Sequence, residues 1–185
     1  TYEVSKSLAA CEGALLLVDA SQGVEAQTVT NFYLARHERL AIIPVLSKCD
    51  LSHAELERTL HELTALCGVQ AKDVLFTSGK TGEGVEEVLA RIATHIPAPS
   101  GHTDAPLKAL IFDSTFDVYK GVIVYVRLID GLVKPGDSIR LMRASKTYNV
   151  EELGIFNPRP QPVKQLGAGE VGYIVANIKN VADVK

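Results

Sequence analysis

Two short polar stretches hold side chains whose types and spacing suit chemistry: Ser47-Lys48-Cys49-Asp50 and, beginning 28 positions after Asp50, Ser78-Gly79-Lys80. An ionised carboxylate is an acceptor with two oxygens, so Asp50 matches the adjacent N1–H and 2-amino donors of guanine in a bidentate, charge-assisted pair. Adenine presents an acceptor at N1 and has no 2-amino group, which would leave the carboxylate unpaired. Backbone N–H groups of Ser78 to Lys80 are the expected donors to guanine O6, and the aliphatic stem of Lys48 is the surface expected to lie across the ring. Each motif is short enough to arise by chance as a bland loop. It is their pairing that makes Ser47, Lys48, Asp50, Ser78, Gly79 and Lys80 candidate nucleotide-binding residues, with no catalytic or metal-ligating residue among them.

Such a pocket needs parallel strands to carry both loops to one edge. Ile42-Ile43-Pro44-Val45-Leu46 is a short apolar run ending in the first motif, as in a buried strand whose carboxyl end faces a ligand crevice. Gly13-Ala14-Leu15-Leu16-Leu17-Val18-Asp19 reads as a second buried strand, and Val74-Leu75-Phe76 as a short third one ending at the second motif. Helical spacing is expected over residues 2–11, 24–38 and 84–95. The Ser52-His53-Ala54-Glu55 capping-box pattern predicts a helix from there to Cys67, with Gly68 as C-cap. The alternation is that of a doubly wound α/β sheet.

Beyond residue 96 the pattern changes. Ile96-Pro97-Ala98-Pro99-Ser100-Gly101 reads as a linker, set at 97–106. From 107 to 185 the periodicity is that of strands, at 107–112, 121–129, 138–142, 148–155 and 172–178, with turns at Asp130-Gly131 and Pro135-Gly136-Asp137. Short strands without helices imply a small antiparallel β-barrel, so the predicted division is an α/β domain at 1–96, the linker, and a β-barrel at 107–185.

Composition narrows the classes. Apolar residues are 46% and charged residues 22% of the chain, and no apolar run reaches the length of a membrane span. No secretory signal is visible, and three cysteines without metal-ligand spacing point to reduced thiols in a cytosolic setting. Residues 1–100 carry 8 Lys/Arg against 13 Asp/Glu, whereas 101–185 carry 11 against 9. A mildly basic second half permits a phosphate-rich partner without requiring one. Three patterns fail on inspection. Gly79-Lys80-Thr81 lacks the first glycine of a GxxxxGKS/T loop, since position 74 is Val. His61-Glu62-Leu63-Thr64-Ala65 has alanine where a zinc-protease helix needs its second histidine. Gly82-Glu83-Gly84 is only a turn entering a helix.

Ser47-Lys48-Cys49-Asp50 resembles the NKxD base-recognition motif of GTPases, and Ser78-Gly79-Lys80 resembles their SAK motif. Tyr2 to Ala14 and Asp19-Ala20-Ser21-Gln22-Gly23 to Thr28 look like the translational GTPases. Ala105 to Ser114, Tyr119-Lys120-Gly121-Val122 and Gly169-Glu170-Val171-Gly172-Tyr173 are similar to the elongation factor 4 (LepA) family. The resemblance implies the C-terminal part of a P-loop GTPase sheet followed by the second-domain barrel of a translation factor. It further implies GTP or GDP with Mg²⁺ as cofactors of the full-length protein, GTP hydrolysis on the ribosome, and a role in back-translocation or translational fidelity. The implied partners are ribosomal RNA, ribosomal proteins and a guanine nucleotide, with no DNA. The implied location is cytoplasmic, with peripheral association at the inner face of the cell membrane and an organellar homologue left open.

Two residues depart from the family pattern. Ser47 stands where the family usually has Asn, so a hydroxyl replaces only part of an amide. Gly79 stands for the usual Ala, keeping the backbone donor in a looser loop. The family's phosphate loop, switch threonine and Asp-x-Pro-Gly-His segment would all precede Thr1. The chain is therefore expected to be a fragment without hydrolysis, holding nucleotide no tighter than about the millimolar range. Alternative readings are a non-catalytic ribosomal-RNA module using Lys120, Arg127, Lys134 and Arg140, or a fragment of another translational GTPase. A Rossmann oxidoreductase would need a glycine fingerprint that is missing here.

Overall fold

The computed structural model describes residues 2–184 and divides into two compact units, Thr1–Ala98 and Pro99–Lys185. The first unit begins with α1 (Tyr2–Leu8). Its sheet consists of β1 (Gly13–Asp19), β2 (Ala41–Ser47) and β3 (Leu75–Phe76), all parallel and in that order. Between and after them run α2 (Ala26–His37), α3 (Leu56–Cys67) and α4 (Val85–His95). Side chains alternate across the sheet. Val18 and Leu46 pack with Leu63 of α3 and with Val74, whereas Ile43 and Val45 pack with Leu75 and with Val88 of α4. Helices thus lie on both faces of the central strand β2, whose apolar run follows from that double burial. The edge strand β1 departs from the buried strand expected there, since Leu15 and Leu17 are exposed.

Helix ends explain two details. Gly68 terminates α3 in the left-handed conformation expected of a C-cap, with φ 69°. The start of α3 corrects the sequence expectation, because residues 52–55 do not open the helix and Glu55 is its N-cap without a side-chain bond. Leu51 and Ala54 close a turn, and the Glu55 N–H donates to Ala20 O at 2.9 Å, so the chain is tied to the β1 loop before the helix begins.

The second unit contains β4 (Lys108–Asp117), β5 (Gly121–Asp130), β6 (Leu132–Val133), β7 (Ser138–Leu141), β8 (Lys146–Asn149), β9 (Glu152–Asn157), β10 (Arg159–Pro162), β11 (Leu166–Gly167) and β12 (Val171–Ile178). Five strands form an antiparallel sheet in the order β10-β9-β12-β5-β4, and β6–β11 and β7–β8 form two antiparallel ribbons. Val122, Val124, Val126 and Leu128 of β5 share a core with Leu153, Leu166, Ile174 and Ile178. The strand expected over 148–155 is two strands. Val150 breaks it by donating its N–H to Asp137 O and accepting from Gly136 N–H. The first strand runs on to Asp117. Within 101–105, His102 N–H bonds the Asp130 carboxylate and His102 O accepts from Ala105 and Gly131 N–H, which docks this Pro/Gly-rich stretch onto its own unit.

Candidate functional site

The carboxyl ends of β1, β2 and β3 lie side by side, with Asp19 in register with Ser47 and Leu46 with Phe76. Each strand therefore delivers the loop that follows it to one edge of the sheet, where open α/β sheets bind ligands. Backbone bonds stitch the loops together. Ala20 N–H donates to Ser47 O at 2.9 Å, Thr77 N–H to Leu46 O at 2.8 Å and Cys49 N–H to Thr77 O at 3.3 Å. Gly84 is needed where the third loop re-enters a helix. Its φ is 71°, and a Cβ there would collide with Phe76 O.

Side chains join the two sequence motifs directly. The buried Ser78 hydroxyl donates to Asp50 Oδ1 at 2.6 Å and accepts from the N–H groups of Lys80 at 3.3 Å and Thr81 at 3.2 Å. The Ser78 bond, with the backbone N–H of Asp50 and then the Lys80 charge behind it, holds the Asp50 carboxyl below the usual range despite some desolvation. Asp50 is thus ionised at neutral pH and exposed, and beyond the Ser78 bond and a contact with its own backbone N–H its carboxylate keeps acceptor capacity. Not every expected donor is available. Ser78 N–H already bonds Glu83 O at 2.9 Å, and Lys80 N–H is taken by the Ser78 hydroxyl. Among the described residues this leaves the Gly79 N–H without a partner in the chain, and a Cβ at Gly79 would meet open space.

Ser47 and Lys48 face β1. The Ser47 hydroxyl donates to Val18 O at 3.2 Å. Lys48 has φ 57°, uncommon for a residue with a Cβ, and its Nζ lies 2.6 Å from Asp19 Oδ2. Asp19 was visible in the sequence only as an acid ending a strand. The Lys48 ammonium, followed by the Ser21 hydroxyl and N–H, pulls its carboxyl down to about 2. Cys49, between Lys48 and Asp50, is partly buried. Its thiol donates to Leu46 O at 3.4 Å, and burial raises its pKa, so it stays protonated and structural at neutral pH. A separate concavity lined by Phe32, Arg36, Leu40 and Gly68 shares no residue with these loops.

The basic residues considered for RNA in the second unit are not equivalent. Arg127 is buried, which corrects its expectation as a surface cation: it lies on β5 within the central part of the sheet. Lys120 is paired with Glu152, its Nζ 2.7 Å from Oε2, whereas Lys134 and Arg140 are exposed. Among the described residues no group of three or more His, Cys, Asp or Glu is placed to hold a metal ion, and no helix is long and apolar enough to cross a membrane.

A parallel sheet with polar loops at its carboxyl edge, followed by an antiparallel β unit, is the arrangement of a translation-factor GTP-binding domain and its second domain. Residues 1–98 match the elongation factor Tu GTP-binding domain and residues 121–185 match elongation factor Tu domain 2, and the chain belongs to this family. It is homologous over its whole length to part of elongation factor 4. It is 54% identical over 185 residues to elongation factor 4 of Geobacillus thermodenitrificans, 54% to that of Micrococcus luteus and 51% to that of Bacillus velezensis. The chain spans 30% of the length of each of these relatives. The fold is also that of translation elongation factor SelB from Methanococcus maripaludis, apo form. The TM-score is 0.77 at 23% identity, covering 90% of this chain and 37% of that one.

Proposed function

We propose that Ser47, Lys48, Asp50, Ser78, Gly79 and Lys80 form the base-reading part of a guanine-nucleotide site in a ribosome-dependent translational GTPase of the elongation factor 4 type. The observation that carries this reading is the 2.6 Å bond from Ser78 to Asp50, which makes one site of two motifs far apart in sequence. In that site the Asp50 carboxylate receives guanine N1–H and the 2-amino group, Gly79 N–H donates to O6, and the Lys48 stem covers one face of the ring. Ser78 acts through Asp50, holding its carboxylate toward the base. Lys80 acts by its charge near Asp50. Ser47 braces the loop against β1 rather than contacting the base.

These residues fit the base and not the rest of the nucleotide. The sequence has no GxxxxGKS/T loop, and no set of described residues is placed to ligate Mg²⁺. No phosphate-transfer step is therefore assigned to this chain. GTP hydrolysis, Mg²⁺ binding, the ribosomal partner and a cytoplasmic location belong to the proposed whole protein, and the 185 residues alone are expected to be inactive and to hold guanosine monophosphate at about millimolar strength.

The test is a comparison of guanosine and xanthosine monophosphates titrated into the 185-residue chain, followed through amide NMR shifts at residues 78–81. Asp50 should favour guanosine, and Asp50→Asn should reverse the preference by about tenfold or more, because xanthine replaces the 2-amino donor by a carbonyl acceptor. An unchanged preference in Asp50→Asn would remove Asp50 from the site.

A further inference from the structure

We infer that Asp19 is a positioning residue of this base site, one that fixes Lys48 so that its stem forms a preset surface for the purine. The inference rests on reading the two loops as a guanine site, and it adds a residue from a third strand end. In the β1–β2 register Asp19 stands across from Ser47, one residue before Lys48. Both carboxylate oxygens of Asp19 are engaged. Oδ1 accepts the Ser21 N–H at 2.9 Å and the Ser21 hydroxyl at 2.7 Å, and Oδ2 meets Lys48 Nζ at 2.6 Å. Ser21 orients the carboxylate, and the carboxylate holds the ammonium.

The two ends of the ion pair differ in exposure. The Asp19 side chain is 14% exposed and that of Lys48 59%. The anchor is shielded while the lysine stem stays open to a ligand. A lysine side chain has large rotamer freedom, and a stem used as a flat surface must lose it. Here the loss precedes binding, since Lys48 is held at one end by its left-handed backbone and at the other by Asp19. A base arriving beside Asp50 then meets a surface already in place. The Lys48 ammonium is paired with Asp19, and Asp50 with Ser78, so the two carboxylates have separate partners and Asp50 keeps acceptor capacity for the ligand.

The experiment is a double-mutant cycle on the 185-residue chain, with guanosine monophosphate as ligand and amide NMR shifts at residues 78–81 as readout. Asp19→Asn should weaken binding about fivefold, a modest factor for a pair with one exposed partner. Lys48→Met should weaken it by a similar factor, and the double variant no further than Lys48→Met alone. Because the Lys48 side chain is exposed, Lys48→Met should keep the fold, and its Asp19 carboxyl should titrate clearly above about 2. Unchanged affinity in Asp19→Asn, or the same loss with and without Lys48, would overturn the inference. The Asp50→Asn preference for xanthosine monophosphate is measured alongside. If that switch occurs while the cycle shows no coupling, Asp19 alone loses its role, and if the switch is missing the base-site reading itself fails.

Discussion

The two units use charged side chains in opposite ways. In the second, charges close on each other as clasps between segments distant in sequence. Lys120 Nζ reaches both oxygens of Glu152 at 2.9 and 2.7 Å while the Tyr173 hydroxyl donates to the same carboxylate at 2.9 Å. Lys146 and Tyr148 likewise grip Asp183, at 2.8 Å in each case. These bonds join residues distant in sequence and leave those carboxylates largely satisfied. At the carboxyl edge of the first unit the bonds instead aim the loops and, among the described residues, leave Asp50 with unused acceptor capacity and Gly79 with a free N–H. Polar groups that close on themselves stabilise, whereas polar groups held in place but incompletely paired are suited to a ligand.

The largest expected effect separates the units by their cores. Leu63 and Leu153 are both fully buried, and truncation of either to alanine should cost about 2–4 kcal/mol of stability, measurable by urea denaturation. Their effects on the ligand should differ. Leu63 packs on Val18 and Leu46, the residues just before Asp19 and Ser47, so Leu63→Ala should also weaken guanosine monophosphate binding. Leu153 belongs to the core of the β unit, and Leu153→Ala should leave binding of the folded chain unchanged. Equal losses of binding in both variants would break the distinction between clasping and aiming.

A smaller effect tests the clasps. Burial, with the Glu152 bond second, pushes the Tyr173 hydroxyl up to about 12 from an ordinary 10.0. A group whose folded pKa is raised contributes stability that is complete below its unfolded value and is lost as pH rises through the folded one. The chain should therefore lose stability between about pH 10 and 12, and of its six tyrosines Tyr173 should be among the last to ionise in an absorbance titration. Tyr173→Phe should reduce that alkaline loss and cost about 1 kcal/mol near neutrality, since Glu152 retains Lys120.

Legibility in the sequence followed the length and purity of each signal. The apolar run at Ala41–Ser47 and the long β5 stand where continuous or alternating burial places them, and the run at Gly13–Asp19 is a strand as well, although Leu15 and Leu17 are exposed on it. Of the short strands, β3 and β7 were legible but β6, β10 and β11 were not, and β10 carries two prolines, Pro160 and Pro162, a composition that argues against a strand except at an edge. It is indeed the terminal strand of its sheet. At the candidate site the tandem motifs pointed to Asp50 and Ser78, because both follow apolar strands at a fixed edge. Asp19 carried no comparable signal as a lone acid 29 positions before Lys48. Only the in-register pairing of two strand ends brings them together. The Ser52 capping pattern misled for a related reason, since a local motif cannot show that Glu55 N–H is already committed to Ala20 O.

The smallest expected effect is also the sharpest test of what the first unit's bonds are for. If the Ser78 hydroxyl merely filled space, Ser78→Ala would leave Asp50 as it is. If it aims and charges the carboxylate, the variant removes the leading cause of the lowered Asp50 pKa, and the carboxyl should titrate closer to its ordinary 3.8 in a pH series of side-chain carboxyl NMR shifts. A group whose folded pKa is depressed contributes stability above its unfolded value, lost as pH falls through the folded one. Wild-type chain should therefore lose this contribution on acidification below about pH 4, and Ser78→Ala should show less of that acid dependence. At neutral pH Asp50 stays ionised either way, so any change in guanosine monophosphate affinity there reports aim rather than charge. Freed from the hydroxyl, the Asp50 oxygens lose their fixed direction, and Lys80 and Thr81 N–H lose their acceptor. Affinity should fall a few-fold with the guanosine preference intact. A fall in affinity with Asp50 titrating as in wild type would instead assign Ser78 to the backbone of its own loop and leave the carboxylate to be aimed by something else.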